Sequence, residues 1–141
     1  MTLEPAEVRA RYDELISAWG RHDLVAVQAM HAPDVELVID GSHELAGRYT
    51  GSGSVLAALV KFAPYVQAGD PHEDKVEVRA GEIETASTVT IRSPLMRKEG
   101  RTLFRTTIRF SDDGHVVHVW NRADDQAALD GFFGVLDAER R

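Results

Sequence analysis

Residues 101–121 read RTLFRTTIRFSDDGHVVHVWN, and the alternation in this stretch decides the architecture. Two runs rich in Thr, Ile, Val and aromatic residues flank Ser111-Asp112-Asp113-Gly114. Short polar side chains that bond nearby backbone, followed by a glycine free to take positive φ, mark a tight turn between antiparallel strands. In the first run Phe104, Thr106, Ile108 and Phe110 alternate with Leu103, Arg105, Thr107 and Arg109. Successive strand residues point to opposite faces, so the aromatic set is expected to face a core. Val117, Val119 and Asn121 join it from the second run, while Arg105, Arg109, His118 and Trp120 share the outer face.

Immediately upstream the period of two continues. Residues 75–79 and 82–92 predict two more strands, joined at Ala80-Gly81, which makes four antiparallel strands in succession. Before Gly69-Asp70-Pro71 the period is helical. Val8, Tyr12, Leu15, Ile16 and Trp19 predict an amphipathic helix over 5–19, with Pro5 in its first turn and Gly20 closing it. Asp23 is placed to cap a second helix over 24–30 that buries Leu24, Val27 and Met30 and stops at Pro33. Residues 35–40, VELVID, predict a strand with Val35, Leu37 and Ile39 on one face and Glu36, Val38 and Asp40 on the other.

The turn-rich residues 41–50 leave room for a short edge strand near Leu45. A third helix, capped by Thr50 or Ser52, would present Val55, Leu56, Leu59, Val60 and Ala63 and end at Pro64. Residues 124–136 predict a closing helix on Leu129, Phe132, Phe133 and Leu136, weakened by about 1 kcal/mol at each of Gly131 and Gly134. Helices leading and strands following indicate one α+β domain over residues 1–141, a curved sheet wrapped against helices. One helix cannot fill a strongly bent sheet, so an apolar pocket is expected between them.

Composition narrows the function classes. Sixteen Lys and Arg against 23 Asp and Glu give −7, which opposes electrostatic binding to nucleic acid or an anionic membrane. With no cysteine, disulfides, thiolate catalysis and Cys-ligated metals are excluded. No apolar leader and no membrane-length apolar run is visible, so a cytoplasmic protein is expected. The six histidines show no H-x-H or H-E-x-x-H spacing, so no metal site is expected. His31 and His72 could serve as pocket bases, but a surface or helix-end histidine is the expected role of each. Gly51-Ser52-Gly53 lacks the lysine of a phosphate loop, and no cofactor is expected.

Several phrases carry a likeness: Arg11-Tyr12-Asp13-Glu14-Leu15, Arg21-His22-Asp23-Leu24, the stretch Met30-His31-Ala32-Pro33-Asp34-Val35-Glu36-Leu37, and Gly47-Arg48-Tyr49-Thr50-Gly51. Asp113-Gly114-His115-Val116-Val117 and Ala123-Asp124-Asp125-Gln126-Ala127-Ala128-Leu129 continue it. In these the chain resembles the SnoaL-like proteins of the nuclear transport factor 2-like (NTF2-like) superfamily, relatives of ketosteroid isomerases and polyketide cyclases. The resemblance implies a cone-like, curved antiparallel sheet around N-terminal helices. It also implies one or two acid–base residues in an apolar cone, where burial raises a carboxyl pKa and strengthens hydrogen bonds to a developing enolate.

By that resemblance Asp40 takes the place of a general base, and Tyr12 lies near the place of the isomerase tyrosine. Thr106 stands where an isomerase has a protonated Asp, and Asn121 where a cyclase has its acid–base Asp. Asn can orient a carbonyl or hydroxyl but cannot carry a proton. The implied catalytic set is therefore Asp40, Tyr12 and Asn121, with Trp19, Phe104, Thr106, Ile108 and Val119 lining the ligand. A cofactor-independent isomerase, dehydratase or cyclase acting on a small apolar carbonyl compound is one expectation. A non-catalytic apolar-ligand-binding module, or a purely structural dimer, is the other. Trp and Arg are enriched at interface centres, so a homodimer through the outer sheet face is expected in either case.

Overall fold

The computed structural model describes residues 2–41, 46–62, 66–67, 73–92 and 99–123. The expected closing helix over 124–136, together with His43, Leu45, Pro64 and His72, lies outside the described residues. Pro5 opens helix α1 (Pro5–Gly20), where its missing N–H has no helical partner to lose. The helix buries Val8, Tyr12, Leu15 and Ala18, one stripe at helical spacing, and half-buries Trp19 against the core. Ile16, expected inside, falls beyond the edge of that stripe and is exposed. Gly20 completes the last turn, and His22 at φ 58° turns the chain instead.

The carboxylate of Asp23 then accepts the Ala26 N–H at 3.1 Å, capping α2 (Leu24–Ala29) as expected. Val27 is buried and Leu24 is not, because six residues form too short a helix to cover more than one apolar position. Strand β1 (His31–Ile39) starts earlier than its sequence pattern, running through Pro33. A register break between His31 and Glu36 removes Pro33 from the ladder, so its missing N–H costs no pairing.

An edge strand, β2 (Gly47–Thr50), precedes α3 (Ser52–Phe62), which buries Val55 and Ala58. A two-residue β3 (Val66–Gln67), not visible in the sequence pattern, comes before β4 (Glu73–Arg79), β5 (Glu82–Arg92), β6 (Glu99–Phe110) and β7 (Val116–Ala123). The sheet order is β2-β1-β7-β6-β5-β3, with β4 also on β5. Among the described residues the pairings are antiparallel except β1 with β7, which is parallel. The α+β cone itself is as expected.

The hairpin at 111–114 forms. Gly114 takes φ 86°, where a Cβ would meet the Arg11 Nε at 2.6 Å. A hydroxyl hydrogen bond from Ser111, with a second contact from His115, pulls the Asp113 carboxyl down to about 2. A bulge between Arg109 and Phe110 shifts the ladder, so Val116 rather than Val117 fills the core. The core collects Val8, Tyr12, Leu15, Val27, Val35, Leu37, Ile39, Ile83, Ile108, Phe110, Val116 and Val119 between the helices and one face of the sheet. No helix among the described residues is long and apolar enough to cross a membrane.

Candidate functional site

Register across the sheet sorts the concave face into rows. Ile83, Ile108, Val119 and Leu37 stand side by side on β5, β6, β7 and β1, all buried. Two residues further along, Thr85, Thr106, Asn121 and Ile39 form the next row. Beyond it come Ser87, Phe104 and Ala123. The first row is sealed by the helices. In the second, Thr85 and Ile39 are buried while Thr106 and Asn121 are half-buried. In the third, Phe104 is buried between half-buried Ser87 and Ala123.

A short polar row of Thr85, Thr106 and Asn121 thus crosses the concave face, with Ser87 and Phe104 beyond it. The contiguous core reaches Ile39, Ile108 and Val119 and does not include Phe104, which lies across the polar row from it. At the centre, the Asn121 Oδ1 is buried with no hydrogen-bond partner among the described residues. Buried polar atoms almost always find partners, so an orphaned one marks a place to explain.

The residues implied by the resemblance divide between the two faces. Tyr12, Trp19, Phe104, Thr106, Ile108, Val119 and Asn121 all belong to the inner side: α1 contributes the first two and the concave rows the rest. Asp40 does not join them. Strand parity sets Ile39 inward beside Asn121, and the next residue turns outward, where the Asp40 Oδ1 accepts the Trp120 indole N–H at 2.8 Å. The carboxyl expected to act as base in the hollow is therefore on the convex face, and this placement is corrected. Among the described residues, the buried polar side chains are His31 and Thr85; neither is a carboxylate.

His31 takes the helix-end role. Its Nδ1 lies 2.6 Å from the Val27 carbonyl at the end of α2, so Nδ1 carries the proton. Burial pushes its pKa below the ordinary value of 6.5, partly offset by that hydrogen bond. Its place in the sheet is opposite Val116, at the other end of β7 from Asn121.

The convex face is of a different kind. Glu36 meets Arg48 at 3.3 Å and His118 at 3.4 Å. Arg122 stacks 4.1 Å over the Trp120 ring and reaches Thr107 and Glu84. Arg79 holds Glu77, Glu82 and Glu84, and Arg109 also reaches Glu82. The outer-face residues Arg105, Arg109, His118 and Trp120 do share this side. A further groove of about 610 Å³ lies between α1 and α2, with Asp13, Glu14 and Arg21 on its wall and its mouth open to solvent. Among the described residues no group of three or more His, Cys, Asp or Glu is arranged to hold a metal ion.

No protein-family model and no curated protein matches the sequence. Solved structures do. An NTF2-like protein from Burkholderia xenovorans LB400 is 20% identical over 92% of this chain and 97% of its own, with a TM-score of 0.75. TerC, co-crystallized with polyporic acid, is 14% identical over 91% and 98%, with a TM-score of 0.71. A candidate SnoaL-like polyketide cyclase from Shewanella denitrificans OS-217 is 13% identical over 87% and 95%, with a TM-score of 0.67. Identities this low speak for architecture and leave the chemistry open. The helices cradled by a bent sheet, the order of its strands and these neighbours agree: the chain has the NTF2-like fold of the SnoaL-like proteins.

Proposed function

We propose that the chain binds a small, largely apolar molecule in the hollow between its concave sheet face and its helices. The observation that carries this reading is the polar row at Thr106 and Asn121, half-buried where the neighbouring Ile83–Ile108–Val119–Leu37 row is sealed. Apolar rows on both sides supply desolvation energy of roughly 25 cal/mol per Å² buried, and the few polar groups between them fix orientation. A neighbour of the same fold co-crystallized with an organic ligand supports it.

Binding is favoured over proton transfer because the Asp40 carboxylate faces outward, bonded to Trp120. Tyr12, Thr106 and Asn121 can position oxygen atoms, but Thr and Asn are poor proton carriers near neutral pH. The test is thermal stabilisation by a panel of small aromatic and alicyclic compounds. A compound at one hundred times its Kd should stabilise by about 2.7 kcal/mol. Thr106→Trp, which fills the hollow at its half-buried row, should abolish that stabilisation, and Asp40→Asn should leave it intact. Retained stabilisation in Thr106→Trp would move the site elsewhere; its loss in Asp40→Asn would return the convex carboxyl to the function.

A further inference from the structure

The segment that leads into α1 crosses the turn between β4 and β5, and that turn is shaped to receive it. Gly81 takes φ 68° there, and a Cβ on it would stand 2.5 Å from the Thr2 Cγ2. A hairpin turn ordinarily lies at the surface, whereas Gly81 is buried. Its N–H donates to the Leu3 carbonyl at 2.9 Å, and its own carbonyl accepts the Phe110 N–H at 2.8 Å. One residue thus ties the incoming segment on one side to the end of β6 on the other. Along β5 this turn lies before Ile83 and the polar row after it. We propose that residues 2–4 form a strap that opens on its own while the sheet stays folded, a gate at the end of the core away from the polar row. This gating is independent of the binding reading above.

The strap has few holdings. Leu3 is buried in the core cluster, while Thr2 and Glu4 on either side of it are exposed. Among the described residues, the bond between Leu3 and Gly81 is the one backbone hydrogen bond from the strap to the sheet. Glu4, at the N-cap of α1, makes no side-chain capping bond, so its side chain does not stiffen the joint with the helix. A groove of about 340 Å³, with Thr2, Glu82, Arg109 and Asp112 on its walls, opens beside the strap at Gly81. Opening gives up one apolar side chain and one hydrogen bond and returns backbone freedom to three residues, contributions of opposite sign and similar size. The helix keeps its own anchors, Val8, Tyr12, Leu15 and Ala18, so the cost is that of a local opening and not of unfolding. Opening uncovers the Gly81 N–H and the apolar slot of Leu3.

Native-state hydrogen exchange of the full chain, followed by NMR in low, increasing concentrations of denaturant, tests the strap. The Gly81 amide reports its opening and the Phe110 amide that of the sheet. Corrected for intrinsic rates, Gly81 should exchange at least about a hundredfold faster than Phe110 in the wild-type chain. Its rate should be nearly flat in denaturant while that of Phe110 rises steeply, because freeing three residues exposes little surface. Leu3→Ala should speed Gly81 at least about tenfold by removing the buried side chain that holds the strap. Leu37→Ala, in the sealed row on β1, should speed Phe110 at least about tenfold and leave Gly81 within about twofold. Equal rates and equal denaturant slopes at the two amides would overturn the proposal. So would an unchanged Gly81 rate in Leu3→Ala, or a Gly81 rate that follows Phe110 in Leu37→Ala. The wild-type comparison decides the matter even where a substitution prevents folding.

Discussion

One sheet presents two faces governed by opposite rules. On the convex face polar groups are abundant and paired: Glu36 with Arg48 and His118, Asp40 with Trp120, and Arg79 with three glutamates. On the concave face polar groups are few, and one of them, the Asn121 Oδ1, is buried without a partner among the described residues. Pairing consumes the binding capacity of the first face, and the binding proposed above is assigned to the second. The lesson concerns where to look for chemistry. A cluster of charges that satisfy one another is architecture, whereas a lone unsatisfied atom in an apolar setting is an invitation to a ligand.

The contrast can be broken at its strongest point first. Leu37→Ala, in the sealed row, should cost about 2–5 kcal/mol by chemical denaturation, because Leu37 is fully buried and its surroundings cannot collapse into the gap. A loss under 1 kcal/mol would mean that the row is not packed.

Acid should act next, through His31. Burial disfavours its charged form in the folded chain, so as pH falls below about 6.5 the unfolded chain takes up the proton first. Stability is then full above pH 6.5 and declines as pH drops toward the lower, folded value. Melting temperatures measured from pH 7.5 to 5.5 should fall, and His31→Gln should flatten that part of the profile.

Smaller still is the convex hydrogen bond. Trp120→Phe keeps an aromatic ring and deletes the donor to Asp40, and should cost about 1 kcal/mol while leaving the ligand-induced stabilisation proposed above unchanged. Weaker binding would show that the two faces are coupled. At the bottom of the scale, Lys75→Ala removes one exposed partner of Glu77 and should leave the melting temperature unchanged within error. In the wild-type chain hydrogen bonds from Lys75 and then Arg79 hold the Glu77 carboxyl below its ordinary value.

Much of this was legible in the residues. Alternation in 101–110 assigned Phe104, Thr106, Ile108 and Phe110 to the inside, and the same rule separated Val35, Leu37 and Ile39 from Glu36, Val38 and Asp40. That second reading already places Asp40 opposite Ile39; the resemblance pointed the other way, and parity prevailed. Two features left no local trace. The bulge at Arg109 and Phe110 inserts a one-residue shift that exchanges Val117 for Val116 in the core, and no period-of-two count reveals it. The parallel pairing of β1 with β7 joins strands whose patterns would suit either direction. The solitude of the Asn121 Oδ1 was equally hidden. It depends on what every neighbouring strand fails to offer, which only the assembled sheet displays.

The parallel junction also orders events in time. Trp120 and Asp40 stand 80 positions apart in the chain, yet they meet at the seam that completes the sheet. During synthesis β1 leaves the ribosome long before its partner exists, and its pairing must wait for nearly the last strand. Contacts this distant along the chain make folding slow relative to helical bundles of similar size. The indole of Trp120, stacked under Arg122 and bonded to Asp40, thereby sits on that seam as a fluorophore, to be read in a Trp19→Phe background because Trp19 would emit as well.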